Sequence, residues 1–132
     1  MSNPSQAAAL RARSRQFALR VIRLCRLLPR TPEARLIGDQ LLRSGTSVAA
    51  NYRAACRARS RAEFSAKVGT VVEEADETVF WLELLVEAEI LPEDQVRDVL
   101  DEANQLLAIF AASRETARRS LAQGKIKEIK VR

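Results

Sequence analysis

Apolar residues recur along this chain at intervals of three and four, the period of a helix face turned toward a bundle core. The first run spans Ser5 to Leu28, where Leu10, Phe17, Val21, Leu24 and Leu28 form a stripe widened by Ala18, Ile22 and Cys25. The segment LPRTP then interrupts it. Pro29 ends the helix, while Pro32 suits the first turn of the next one, with Thr31 as N-cap. A second helix is predicted from Pro32 to Arg59, with Ile37, Leu41, Val48, Tyr52 and Ala55 facing inward. Ser60 and Glu63 have the spacing of a capping box, so a third helix starts at Arg61 and runs to Ile90. Phe64, Val68, Val71, Ala75, Val79, Leu82 and Val86 hold its heptad-like register. Trp81 and Leu85 fall beside that stripe as a second apolar edge, more than a lone bundle needs. Pro92 opens a fourth helix, which buries Val96, Val99, Ala103, Leu106, Leu107, Phe110 and Ala117 and stops at Gly124.

These elements define an all-α fold: one four-helix bundle over residues 1–124, then a basic tail, KIKEIKVR, at 125–132. The tail alternates like a strand but has no strand to pair with, so a mobile state is expected. Gly45 lies on the apolar side of the second helix, where it costs about 1 kcal/mol relative to alanine. Close helix packing explains it, or else a kink at Ser44-Gly45-Thr46. The pattern resumes in phase after Gly45, which favours packing. Gly45, Trp81 and Leu85 are the candidate oligomer-interface positions. The Ser44 and Thr46 hydroxyls are expected to bond back to the preceding turn, because no phosphate-loop pattern surrounds them.

Composition narrows the chemistry. The chain has no histidine, which removes Ser-His and Cys-His nucleophile pairs and His-ligated metal sites. Glu73, Glu74, Asp76 and Glu77 are crowded, yet di-metal four-helix sites use Glu-x-x-His motifs. A solvated or subunit-facing surface is the reading adopted. No catalytic residue, metal, cofactor or small-molecule substrate is assigned. Cys25 lies near the interhelical turn and Cys56 far from it, so they are read as small buried hydrophobes without an intrachain disulfide. No apolar run is long enough to span a membrane. The Arg-rich N-terminus has the composition of a mitochondrial presequence too, but its pattern continues into a helix the core needs. A cytoplasmic protein is expected.

The chain's net charge of +5 conceals a division. Residues 1–61 carry a net charge of +11, residues 62–113 a net of −11, and residues 114–132 a net of +5. On a wheel of about 100° per residue, Arg13, Arg20, Arg23, Arg26 and Arg30 lie opposite the apolar stripe of the first helix. Arg53 and Arg57 do so on the second. Arg13, Arg20, Arg23, Arg26, Arg53 and Arg57 are therefore the candidate nucleic-acid contacts. The competing account has such arginines meeting Glu73, Asp76 or Glu83, within a subunit or between two, and setting partner choice and orientation.

Three stretches carry a family resemblance: FALRVIRLCRLLP, QLLRSGTSVAANYRAACRARSRAEF and EEADETVFWLELL. From Phe17 to Arg118 the chain resembles the small four-helix-bundle proteins encoded in intervening sequences of bacterial 23S ribosomal RNA genes. The resemblance implies an antiparallel up-down-up-down bundle that assembles as a homopentamer. It also implies kinship in fold with the accessory protein of diversity-generating retroelements, which binds nucleic acid and a reverse transcriptase. The family has no established enzymatic activity, and the tail from Lys125 lies outside the resemblance. The expectation is a non-enzymatic oligomeric module that binds RNA or DNA non-specifically through Arg-rich faces. The alternative is a structural or scaffold oligomer that binds a protein partner and uses its charges for subunit pairing.

Overall fold

The first helix, α1 (Pro4–Cys25), begins where Asn3 Oδ1 accepts a hydrogen bond from the Ser5 amide at 2.9 Å. It ends earlier than the apolar stripe. Leu27 and Leu28 bond only to carbonyls three residues back, because the residue before a proline is disfavoured in helical conformation. The second helix, α2 (Pro32–Cys56), has the expected Thr31 cap, whose hydroxyl accepts from the Ala34 amide at 3.2 Å. At the head of α3 (Arg61–Glu87), Ser60 Oγ accepts from the Glu63 amide at 3.1 Å. Glu63 reaches back one residue further than a standard capping box, to the Arg59 amide at 3.3 Å.

α3 closes at Glu87, short of Ile90, through a left-handed Glu89 with φ 58°. The Ile90 amide bonds to Leu85 O and the Glu89 amide to Val86 O, each at 3.0 Å. This is a Schellman closure with glutamate where glycine is usual. The fourth helix, α4 (Glu93–Val131), starts with Glu93 and Asp94 on its positive end. It does not stop at Gly124. The helix passes through that residue, whose φ is not positive. The structure, a computed structural model, describes residues 3–131 and their side chains through 124. The side chains of the basic tail thus lie outside the described residues.

All four elements are helices, and there is no strand among the described residues. Each helix packs on the next in sequence, and α1 also meets α4. The core holds Phe17, Val21, Leu41, Val48, Tyr52, Val68, Leu82, Leu106 and Phe110, with the Tyr52 and Phe110 rings 5.1 Å apart. Among the described side chains of α4, Phe110 is the last that is fully buried. Between α2 and α3, the buried Ser44 and Thr78 hydroxyls lie 3.0 Å apart.

Gly45 is buried inside this bundle. A Cβ there would sit 2.9 Å from Val21 Cγ1 and 3.2 Å from Val21 Cβ. Close packing, rather than a kink, is its role, and the contact is with α1 of the same chain. Gly45 is therefore not an oligomer-interface position. Leu85 is corrected on the same ground, since it is fully buried within the subunit. α3 lies against both α2 and α4, so it buries a wider arc than the single stripe drawn from the sequence.

Candidate nucleic-acid interface

The arginines of α1 divide into two sets. Two residues along a helix turn the direction by about 200°, so Arg11 and Arg13 leave α1 on different flanks. Arg13 faces α4. Its Nε donates to Glu102 Oε2 at 2.8 Å and its Nη2 to Glu102 Oε1 at 2.6 Å, with Gln105 Oε1 at 2.8 Å from Nη2. This two-pronged pair holds the Glu102 carboxyl below the usual carboxylate range. The Arg13 hydrogen bond is the main cause, partly opposed by burial and aided by the charges of Arg13 and Arg20. Arg20 is half-buried on this same flank.

Arg11 and Arg15 face α2 instead. Across the interhelical groove stand Arg53 and Arg57, and between the two walls lie Ala8, Ala12, Thr46, Ala49, Ala50 and Cys56. The groove encloses about 840 Å³ and no acidic side chain lines it. All four guanidiniums are exposed. Among the described residues, none of them lies within ion-pairing distance of a carboxylate. Small residues on the facing sides of α1 and α2 create the depression. A shallower basic extension holds Arg53, Arg57 and Arg59, with Glu63 at its edge.

The candidates from the sequence thus separate. Arg53 and Arg57 sit in the groove. Arg13 is engaged by Glu102 on α4, so it is corrected from a free phosphate contact to an interhelical tie. Arg20 lies beside it, while Arg23 and Arg26 are exposed away from the groove. Arg11 and Arg15 were not among the candidates. Their signal was present in the alanines at 8, 12, 49 and 50, small enough to leave a trough that arginines can rim. The competing partners Glu73, Asp76 and Glu83 are exposed and make no ion pair among the described residues. The α2–α3 tie uses Arg43, which meets Glu74 at 3.2 Å and also pairs with Glu77.

Trp81 is half-buried on α3, and its Nε1 donates to Glu77 Oε2 at 3.1 Å. Phe80, which the periodicity did not single out, packs edge-on to it at 4.9 Å and is 50% exposed. Both cysteines are free. Burial, and secondarily Asp39, pushes the Cys25 thiol up to about 11. No group of three or more potential metal ligands gathers among the described residues. No helix among them is long and apolar enough to cross a membrane.

Comparison with known proteins supplies the lineage. The profile of the 23S rRNA-intervening sequence protein family matches residues 8–112. The chain belongs to this family. It is also similar to a crystal structure of a protein of unknown function from the S23 ribosomal protein family of Bacteroides thetaiotaomicron VPI-5482. The two are 31% identical with a TM-score of 0.76, over 83% of this chain and 97% of that one. No match was found among curated proteins. The groove arginines Arg11, Arg15, Arg53 and Arg57 all lie within the matched span.

Proposed function

We propose that this family member is a non-enzymatic, oligomeric, cytoplasmic protein that binds RNA or DNA without sequence preference through its arginine faces. The observation that carries the reading is the α1–α2 groove, where exposed arginines from two helices converge with no carboxylate among them. Guanidinium forks suit phosphate oxygens, and a site that reads only phosphates is indifferent to base sequence. The proposed assembly is an antiparallel up-down-up-down bundle in a homopentamer. The contacts of Val21 with Gly45 and of Leu28 with Gly38 support the antiparallel order of α1 and α2. Exposed Phe80 beside Trp81 supports a further apolar contact, and five copies would repeat the basic groove and add avidity.

A titration with nucleic acid at two salt concentrations, on protein stripped of bound nucleic acid, tests this reading. Binding should be similar for unrelated sequences and weaken steeply with salt. Light scattering after size exclusion should give about five subunits, the number the resemblance implies. An absence of binding at moderate salt would favour the scaffold reading. That alternative draws on the exposed acids Glu73, Asp76 and Glu83, which are available to a neighbouring copy.

A further inference from the structure

The groove has features that select among nucleic acids, an inference that rests on the nucleic-acid reading above. Arg11 and Arg15 are one helical turn apart, as are Arg53 and Arg57, which separates each pair by about 6 Å along its axis. That rise is comparable to the spacing of consecutive phosphates on one strand. Two facing rows with that spacing match the phosphate repeat of a single sugar–phosphate ridge. Proteins that hold single strands stack the unpaired bases on aromatic side chains. No aromatic residue lines this groove. Phe17, Tyr52, Phe64 and Phe110 are buried, and Phe80 and Trp81 lie on α3. The lining also lacks the Asn, Gln, Asp or Glu side chains that read base edges beside arginine. The Thr46 hydroxyl already bonds to the Leu42 carbonyl at 2.7 Å.

We propose that the α1–α2 groove seats one backbone of a nucleic-acid duplex, with Arg11 and Arg15 gripping it from one side and Arg53 and Arg57 from the other. The bases stay stacked within the duplex and make no contact with the protein. Cys56, half-buried in the groove floor, lies beneath the bound strand.

The test compares a blunt RNA duplex with its two separated strands in anisotropy titrations of the whole protein. One variant carries Arg11→Gln, Arg15→Gln, Arg53→Gln and Arg57→Gln. A control of equal charge change carries Arg30→Gln, Arg35→Gln, Arg61→Gln and Arg118→Gln, all at exposed positions outside the groove. The parent should bind duplex more tightly than either strand. The groove variant should lose about tenfold or more in duplex affinity, and its log–log salt slope should flatten by about 3 to 4 as four phosphate contacts vanish. The control should lose much less. Bound duplex should also slow maleimide labelling of Cys56, read by peptide mapping, while the labelling rate of Cys25 stays the same in both states.

Tighter binding of single strands would overturn the duplex assignment while leaving nucleic-acid binding intact. Equal losses in the two variants, or unprotected Cys56, would overturn the groove as the seat. A parent that binds neither probe would sink the broader reading as well. If, in that case, the groove variant also lost its subunit number while staying helical, the groove's occupant would be the acidic face of a second copy.

Discussion

The two flanks of α1 put the same side chain to opposite uses. Toward α4, Arg13 finds Glu102 and becomes part of the fold. Toward α2, Arg11 and Arg15 find Arg53 and Arg57, and their charge stays exposed to solvent. Whether an arginine is structural or available is decided by what the facing helix offers, not by its place on its own wheel. The α2 flank can approach closely despite its like charges because Gly45 lets Val21 dock underneath them. Apolar contact holds the two basic helices together, and the charges ride above it.

The largest effect should come from removing that apolar contact. Gly45→Leu must overpack against three atoms of Val21, whose branched side chain has few alternative rotamers. We expect a loss of about 3 kcal/mol, measured by denaturant unfolding, with the α1–α2 groove disrupted as well. Retention of full stability would show that α1 is not seated on α2 in this way.

Next in size is the α4 flank. Arg13→Gln should cost about 1 kcal/mol, a figure kept small because Arg13 is partly exposed to solvent. The pair also has a pH signature. Because the folded-state pKa of Glu102 is lowered, its contribution is present above the unfolded pKa and is lost as pH falls through the folded value. Melting curves across the acid limb should therefore bring parent and Glu102→Gln closer together as pH drops. A gap that persists to the lowest pH would remove the ion pair as its cause.

The groove should respond with the opposite sign. Arg11 and Arg15 are four residues apart on one helix, as are Arg53 and Arg57, and such like-charge pairs destabilise by about 0.2–0.5 kcal/mol each. Substituting all four with glutamine should leave thermal stability unchanged or raise it slightly. A marked loss would show that these arginines serve the fold, as Arg13 does.

The smallest effect is expected at the other glycine of the α1–α2 seam. A Cβ at Gly38 would sit 2.7 Å from Leu28 Cδ1, the far end of a flexible side chain near the turn. Gly38→Ala should be within about 1 kcal/mol of neutral, since the helix-propensity gain offsets the adjustment. A loss as large as that of Gly45→Leu would mean the seam is equally tight along its length.

What the sequence disclosed follows from the range of the forces involved. The helix periods, the Thr31 and Ser60 caps and the tight packing at Gly45 depend on neighbours in sequence or on one facing residue, and these were legible. The division of arginines was not, because it depends on which helix faces which. Leu85 shows the same limit: it lies off the main stripe of α3, yet a helix with partners on both sides buries it completely. Gly124 misled for a different reason. Glycine permits a helix stop but does not compel one, and no steric contact within 4 Å of its Cβ direction constrains the choice.

Trp81 is the sole tryptophan of the chain, so the protein's indole emission reports on one point of α3. The ring is pinned between Phe80 and a glutamate that also pairs with Arg43 of α2. Any event that covers Phe80, or that pulls Arg43 away from Glu77, changes the polarity or hydrogen bonding of that single fluorophore. Docking of another subunit over α3 would be visible without a label, whereas occupation of the groove between α1 and α2 would leave the spectrum dark to it. The chain thus carries a native optical probe that distinguishes association through one face from binding at the other.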